Sequence, residues 1–385
     1  MISVDGTAPD STWGDGTRVV TGGASPAEPG QPLIPSPVFA APFHLGDQPV
    51  GTADGYARIS HPSIRAYERA LAGLDGGPVV AFPTGMAAIS ALLLDFLRPG
   101  EVLVLPSDGY YTTRTLAANH LAPRGVEVRE VPTAGDYLSA LAGAALVLLE
   151  TPSNPGLDVC DIAEIAAAAH REGARWWRLT TPPPPRSLGQ LPLALGADFA
   201  VYSDTKAIAG HSDLLLGHVA CATQDLADRL SLWRRLAGAM PGPFEVWLAH
   251  RSLGTLDLRL GRQAQNALAL IPVLSETPGV TGLRYPGWPA DPAYELASRQ
   301  MRRHGGVLSC PSPSPRPPRS PASSPPPTWS PPPPPSAACT PPPTAAPNGV
   351  PATPSPRASS ASPPAAKTPA DLIADVTAAL EHALT

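Results

Sequence analysis

Ser203-Asp204-Thr205-Lys206, followed by Gly210-His211-Ser212-Asp213, closes an apolar run that reads Asp198-Phe199-Ala200-Val201-Tyr202. Entered from Leu195-Gly196-Ala197, that run reads as a buried strand, and the polar turn sets one lysine among hydroxyls at its end. In an open α/β sheet, ligands sit in the crevice at the carboxyl ends of strands, which is where Lys206 falls. A half-desolvated amine there can lose its proton near neutrality and attack an aldehyde, while Ser203 and Thr205 offer hydroxyls to a phosphate. Most lysines are solvated surface groups. The reading of Lys206 therefore depends on what else the chain places beside it.

Two further segments end strands in the same way. Val79-Val80-Ala81-Phe82 runs into Thr84-Gly85-Met86-Ala87-Ala88-Ile89, a strand, a glycine turn and a helix start. Free backbone N–H groups and the positive end of the helix dipole make such a junction an anion site, although strand–glycine–helix turns are common in α/β domains. Ala145-Leu146-Val147-Leu148-Leu149-Glu150 runs into Thr151-Pro152-Ser153-Asn154-Pro155, which holds an asparagine amide between two prolines. Alone, that segment is an ordinary rigid turn.

In this order, these segments resemble the Cys/Met-metabolism family of pyridoxal-phosphate enzymes, the group containing cystathionine γ-synthase and γ-lyase. The resemblance runs from about Thr17 to Leu308 with gaps. It includes Tyr56-Ala57-Arg58 before His61-Pro62-Ser63, the Thr84-Gly85-Met86 turn, Asp108-Gly109-Tyr110, the Glu150–Pro155 segment and the lysine segment. Trp247 to Leu256 and Tyr285-Pro286-Gly287 fit as well, and Pro241-Gly242-Pro243 to Leu253 is most similar to the bacterial γ-lyases. The resemblance implies an α/β fold of type I, aspartate-aminotransferase-like, with a mostly parallel sheet in a large domain and a smaller C-terminal α/β domain.

It also implies roles. Lys206 would carry pyridoxal 5'-phosphate as a Schiff base and then move protons between carbons. Gly85, Met86, Ser203 and Thr205 would bind the phosphate, with Tyr56 and Arg58 reaching the same phosphate from a neighbouring subunit, where a guanidinium can bond bidentately. Tyr110 would stack on the pyridine ring near the leaving thiol, Tyr111 leaves that assignment ambiguous by one place, and Asn154 would lie beside the cofactor's phenolic oxygen. The implied reaction is γ-elimination from a sulfur amino acid, cystathionine giving cysteine, 2-oxobutyrate and ammonia; γ-replacement and methionine γ-lyase activity share every motif quoted. The implied partners are the amino-acid substrate and further copies of the chain, in a homodimer or homotetramer.

Two segments depart from the family pattern. Between Arg175 and Leu188 the chain reads Trp-Trp-Arg-Leu-Thr-Thr-Pro-Pro-Pro-Pro-Arg-Ser, where the family has a buried strand ending in an Asp-Asn-Thr turn. A central parallel strand cannot contain a proline block, so 176–187 is read as aberrant. The family's aspartate there keeps the pyridine nitrogen protonated. Counted back from Lys206 it falls near Thr181, counted forward from Gly173 near Leu179, and the segment contains no carboxylate. From Pro311 to Pro364 the chain carries 23 of its 53 prolines and no Asp, Glu, Leu, Ile, Met, Phe or Tyr, so this stretch is expected to be disordered or polyproline II. It begins after Gly305-Gly306-Val307-Leu308-Ser309, a strand, and ends at Thr368-Pro369-Ala370-Asp371, a capped helix start carrying Leu372, Val376 and Leu380 every four residues. Both proline-rich stretches read as out-of-frame text, with the frame restored near Leu188 and again near Ala366; the competing reading is a natural proline-rich linker or SH3-type ligand with PxxP spacing. Read literally, such a sequence is expected to show little or no activity; the alternative from a different class is a non-catalytic remnant that keeps the lysine and lacks the electron-sink partner.

The expected organisation is an N-terminal arm over 1–58, a cofactor-binding large domain over 59–255 and a disrupted small domain over 256–385, with 311–365 proline-rich and a last helix over 368–384. A net charge of −5 and a pI near 6.0 give no electrostatic case for nucleic acid or anionic membrane. Met1 to Asp15 has neither a basic nor an apolar leader segment and no run is long enough to span a bilayer, so a cytoplasmic enzyme is expected. Cys160, Cys221, Cys310 and Cys339 form no CxxC pair, and His211, His218 and His250 form no ligand pattern. No metal is expected, and these histidines read as packing or surface groups.

Overall fold

Seven strands form one mixed sheet in the computed structural model, which describes residues 14–24, 28–32, 34–45, 47, 55–173, 175–180, 189–311, 358–361 and 367–384. They are β1 (Val79–Phe82), β2 (Val102–Pro106), β3 (Glu127–Val131), β4 (Ala144–Glu150), β5 (Arg175–Thr180), β6 (Phe199–Tyr202) and β7 (Gly217–Cys221). Their spatial order is β1-β7-β6-β5-β4-β2-β3. Pairs from β6 to β3 are parallel, and β7 runs antiparallel to both of its neighbours, β1 and β6. Parallel strands need crossovers, and helices supply them.

The helices are α1 (Asp15–Thr21), α2 (Pro62–Asp75), α3 (Gly85–Phe96), α4 (Tyr111–Leu116), α5 (Ile162–Arg171), α6 (Gln224–Ala237), α7 (Pro243–Leu253), α8 (Leu256–Glu276), α9 (Tyr294–Gln300) and α10 (Pro369–Leu384), of which α3, α4 and α5 stand between parallel strands. The period-2 alternation of the strands decides which helix covers which face. Val80, Phe82, Phe199, Val201 and Val219 pack with Ile89, Leu92 and Leu93 of α3. Their sequence neighbours Val79, Ala81, Ala200, Tyr202 and Ala220 pack on the other face with Ile64, Tyr67 and Leu71 of α2 and Val246 and Ala249 of α7. Val102, Val104, Val147 and Leu149 meet Ile162, Ile165 and Ala169 of α5 on the far half of the sheet. Both faces are thus covered, which is why the central strands read as continuous apolar runs.

The outer edge of β1 is closed by side chains. Ala81 N–H donates to Glu68 Oε1 at 2.9 Å, Ala81 C=O accepts from Arg234 Nη1 at 2.8 Å, and the two side chains pair at 2.6 Å. The ion pair stands where the next strand of the sheet would, satisfying the backbone groups that an edge leaves open.

A second, smaller core lies beyond the sheet. Leu256 and Leu260 at the start of α8 belong to the core of α2 and α7, whereas Ala267, Leu270, Ile271 and Leu274 pack with Leu283, Tyr285, Leu308 and Leu372. α8 begins at Leu256 and runs through both cores. The last helix forms as expected, capped at Thr368, whose hydroxyl oxygen accepts from Asp371 N–H at 3.3 Å.

Two expectations need correction. The segment read as aberrant contributes the central strand β5, hydrogen-bonded to β4 and β6 from Arg175 to Thr180. The strand ends two residues before the first proline, so every residue in it keeps a backbone donor; Pro182 to Pro185 lie outside the described residues. Within the C-terminal proline-rich stretch, Ala358–Ala361 forms β9, antiparallel to β8 (Leu308–Pro311). Ala358-Ser359-Ser360-Ala361 contains no proline, which leaves its donors free for a ladder. The remainder, Cys339 included, lies outside the described residues.

Candidate active site

Register brings the two anion-binding turns together. Phe82 at the end of β1 lies opposite Gly217, and Tyr202 at the end of β6 lies opposite His218, so both strands finish level with the first residues of β7. The turns that follow therefore meet above Gly217. A Cβ placed on Gly85 would sit 2.9 Å from the Ser203 Cβ, and one on Gly217 would sit 2.6 Å from both N and Cα of Gly85. Three backbones share a space that no side chain can enter.

Gly85 and Met86 open α3, with Thr84 as N-cap accepting from Ala87 N–H at 2.9 Å. The first N–H groups of a helix lack intrahelical partners and carry its positive dipole end. With the Ser203 side chain against Gly85, donors from two elements converge on one place, and a phosphate fits it.

The lysine turn is tightly determined. Lys206 N–H donates to Ser203 O at 3.1 Å and Gly210 N–H to Lys206 O at 2.8 Å. Arg259 of α8 donates to Ala207 O at 2.5 Å and to Ile208 O and Ser252 O at 2.9 Å. Burial lowers that guanidinium to about 10. Lys206 itself is exposed, in the turn that follows the carboxyl end of β6. Thr205 differs from expectation. Its hydroxyl donates to Leu216 O at 3.1 Å and accepts from Leu216 N–H at 2.9 Å, so its single proton ties the turn to the approach of β7 and leaves none for a phosphate.

Tyr110 and Asn154 stand at the ends of neighbouring strands. Tyr110 follows β2 as N-cap of α4, and its N–H donates to Glu150 Oε2, the last residue of β4, at 2.6 Å. A Cβ on Gly109 would meet that same oxygen at 2.8 Å. Tyr110 is half-buried against the α3 core, whereas Tyr111 is 67% exposed. Asn154 sits half-buried in the loop after β4, which closes through Ser153 N–H to Asp158 O at 2.9 Å and Asp158 N–H to Ser153 Oγ at 3.1 Å.

Tyr56 and Arg58 are both exposed and lie together, the guanidinium 5.5 Å from the Tyr56 ring centroid and donating to Arg235 O at 2.9 Å. Neither is hydrogen-bonded to Gly85, Ser203, Thr205 or Lys206 of its own chain. Among the described residues no group of three or more His, Cys, Asp or Glu could hold a metal ion, and no helix is long and apolar enough to cross a membrane. Cys160 and Cys221 are buried and in no disulfide, and burial pushes the Cys221 thiol up strongly.

Residues 41–314 match the model of the Cys/Met metabolism PLP-dependent enzyme family. The chain belongs to that family. A Streptomyces coelicolor protein provisionally named cystathionine gamma-lyase is 46% identical over 313 residues, 79% of this chain and 78% of its own. Cystathionine gamma-synthase of Mycobacterium tuberculosis is 35% identical over 316 residues, 80% of each chain. Among solved structures, a methionine gamma-lyase from Micromonospora echinospora superposes with a TM-score of 0.73 at 35% identity, covering 78% of this chain and 82% of that one. The fold is accordingly type I, and the cofactor is pyridoxal phosphate.

The structure also buries residues to which the sequence reading gave no catalytic or binding role. Gly217 opens an apolar strand, the usual mark of a close backbone approach. Glu150 ends an apolar strand with a carboxylate that is 1% exposed. Asp75 ends α2, Asp204 lies in the polar turn after β6 and His218 lies in β7, and all three are buried.

Proposed function

We propose that this chain carries out γ-elimination on cystathionine, which with water gives cysteine, 2-oxobutyrate and ammonia. Family membership supports the coarser reading, a pyridoxal-phosphate enzyme acting on sulfur amino acids by elimination or replacement at the γ-carbon. The observation that carries the site is the meeting of the Gly85 and Ser203 turns above Gly217, one turn before Lys206. The 46% identity to the lyase-named relative favours elimination over replacement.

In this reading Lys206 Nζ holds the cofactor and afterwards accepts and redelivers the substrate's protons. Gly85 and Met86 N–H groups and the Ser203 hydroxyl hold the phosphate, and Thr205 fixes the turn through Leu216. Tyr110, its backbone held by Glu150, faces the ring, and Asn154 reaches its phenolic oxygen. When bound, the cofactor supplies the electron sink that acidifies the α-proton. Tyr56 and Arg58 serve a neighbouring copy, in a homo-oligomer working in the cytoplasm.

The test offers the reconstituted protein cystathionine alone, or O-succinylhomoserine with cysteine. Faster release of 2-oxobutyrate from cystathionine is expected; faster formation of cystathionine from the second mixture would make the chain a synthase. A second reading rests on one observation: residues 175–188 contain no carboxylate to pair with the pyridine nitrogen. Each unit by which that nitrogen's pKa falls costs its protonated form about 1.4 kcal/mol. A chain that shows lysine-bound cofactor absorbance without turnover is then an impaired member of the family.

A further inference from the structure

Beneath the lysine turn lies a chain of buried ionisable groups that the reaction does not use. Asp204 Oδ2 accepts from the Tyr67 hydroxyl at 2.9 Å, Asp204 Oδ1 pairs with His218 Nδ1 at 2.6 Å, and His218 Nε2 pairs with Asp75 Oδ2 at 3.1 Å. Tyr67, Asp204 and His218 are fully buried and Asp75 is 3% exposed. Tyr202 of β6 stacks on the His218 ring, centroids 4.6 Å apart and planes 20° from parallel. Tyr67 lies midway along α2, Asp75 is its last residue, and His218 comes from β7.

Two carboxylates and an imidazole are an expensive way to fill a core. Desolvating such groups offsets most of what their pairing returns, and apolar side chains of similar volume would stabilise the fold as well or better. What the groups supply is direction, since charge-assisted hydrogen bonds fix an orientation that apolar contacts leave loose. Asp204 is the second residue of Ser203-Asp204-Thr205-Lys206. Its side chain is held from α2 and β7, and its carbonyl accepts from Ala209 N–H at 2.8 Å. The turn cannot rotate without breaking buried bonds on both sides.

We propose that Asp204 is a positioning residue for Lys206, anchored by Tyr67, His218 and Asp75, and that this network sets where the lysine amine meets the cofactor. The inference rests on Lys206 being the cofactor lysine. The Asp204 carboxylate, held by Tyr67 and His218 within the lysine turn, favours positive charge on the lysine nitrogen.

Wild-type protein, Asp204→Asn, Tyr67→Phe and Lys206→Ala would be titrated with pyridoxal phosphate. The readouts are affinity, the pH midpoint of the visible absorbance, borohydride fixation at the Lys206 peptide, and the far-ultraviolet circular dichroism of the apo forms. Asp204→Asn is expected to keep the wild-type dichroism, bind about tenfold more weakly, and shift the absorbance midpoint to lower pH. A folded Asp204→Asn with wild-type affinity and midpoint overturns the proposal. Should that variant not fold, Tyr67→Phe decides: it removes one hydrogen bond and no charge, a severalfold loss of affinity is expected, and unchanged affinity overturns it. Lys206→Ala should show neither absorbance nor fixation; if it shows both, the assignment of the lysine has failed, and that of Asp204 with it.

Discussion

His218 shows how a single buried residue ties the site to pH. Burial alone would lower its pKa, but the Asp204 and Asp75 carboxylates outweigh that and raise it to about 10, so at neutrality the ring donates from both nitrogens. A group whose folded pKa is raised contributes stability that is fully present below its unfolded value of about 6.5 and is lost as pH climbs towards 10. The wild-type melting temperature should therefore fall between pH 7 and pH 10. His218→Gln, which removes the titrating group, should melt lower at pH 7 and lose most of that slope; a slope that survives the substitution would assign the effect elsewhere. Nothing in Gly-His-Val-Ala-Cys distinguishes this histidine from a solvated one, because its partners lie 14 and 143 residues away. The expectation for Lys206 arose in the opposite way, from Ser203 and Thr205, hydroxyls close to it in sequence.

Among elements, β7 does more than fill the sheet. As the one reversed strand it lets β1 and β6 end beside each other with only its first residue between their turns. Gly217→Ala would drive a methyl group into the Gly85 backbone, at 2.6 Å before relaxation, and push α3 away from Ser203. The expected outcome is a loss of about 1–3 kcal/mol in denaturant unfolding together with weaker cofactor binding; a full loss of stability at wild-type affinity would separate the strand from the site. The β1 edge gives a control far from the lysine. Arg234→Ala leaves Glu68 partly buried and unpaired and removes the donor to Ala81 O, and should cost about 3 kcal/mol in the same measurement. Strand identities were readable in the sequence because both faces are covered and the runs are apolar. β5 was misread because Trp176, Trp177 and Arg178 beside four prolines do not present such a run, and it is held by backbone pairing to β4 and β6. β9 was missed for a related reason, as a four-residue strand of small residues carries no periodicity.

At the scale of the whole molecule, the arm ending at Arg58 decides whether a site is built from one chain or two. Tyr56 and Arg58 are exposed, stacked on each other and unconnected to the lysine turn of their own chain, which is how residues destined for a partner's phosphate would stand. If each site takes Lys206 from one copy and Arg58 from another, two damaged chains can repair each other. Lys206→Ala chains bind no cofactor at lysine, and Arg58→Ala chains bind it poorly for want of the bidentate phosphate contact. In a dimer of one chain of each kind, one site carries both lesions and the other carries neither. Random mixing makes half of the dimers mixed, so unfolding and refolding the two variants together should restore lysine-bound absorbance to about a quarter of the wild-type value, above that of either variant alone. A tetramer made of such dimers gives the same fraction. If the mixture shows only the average of the two separate variants, each site is complete within one chain, and Tyr56 and Arg58 belong to the surface of α6.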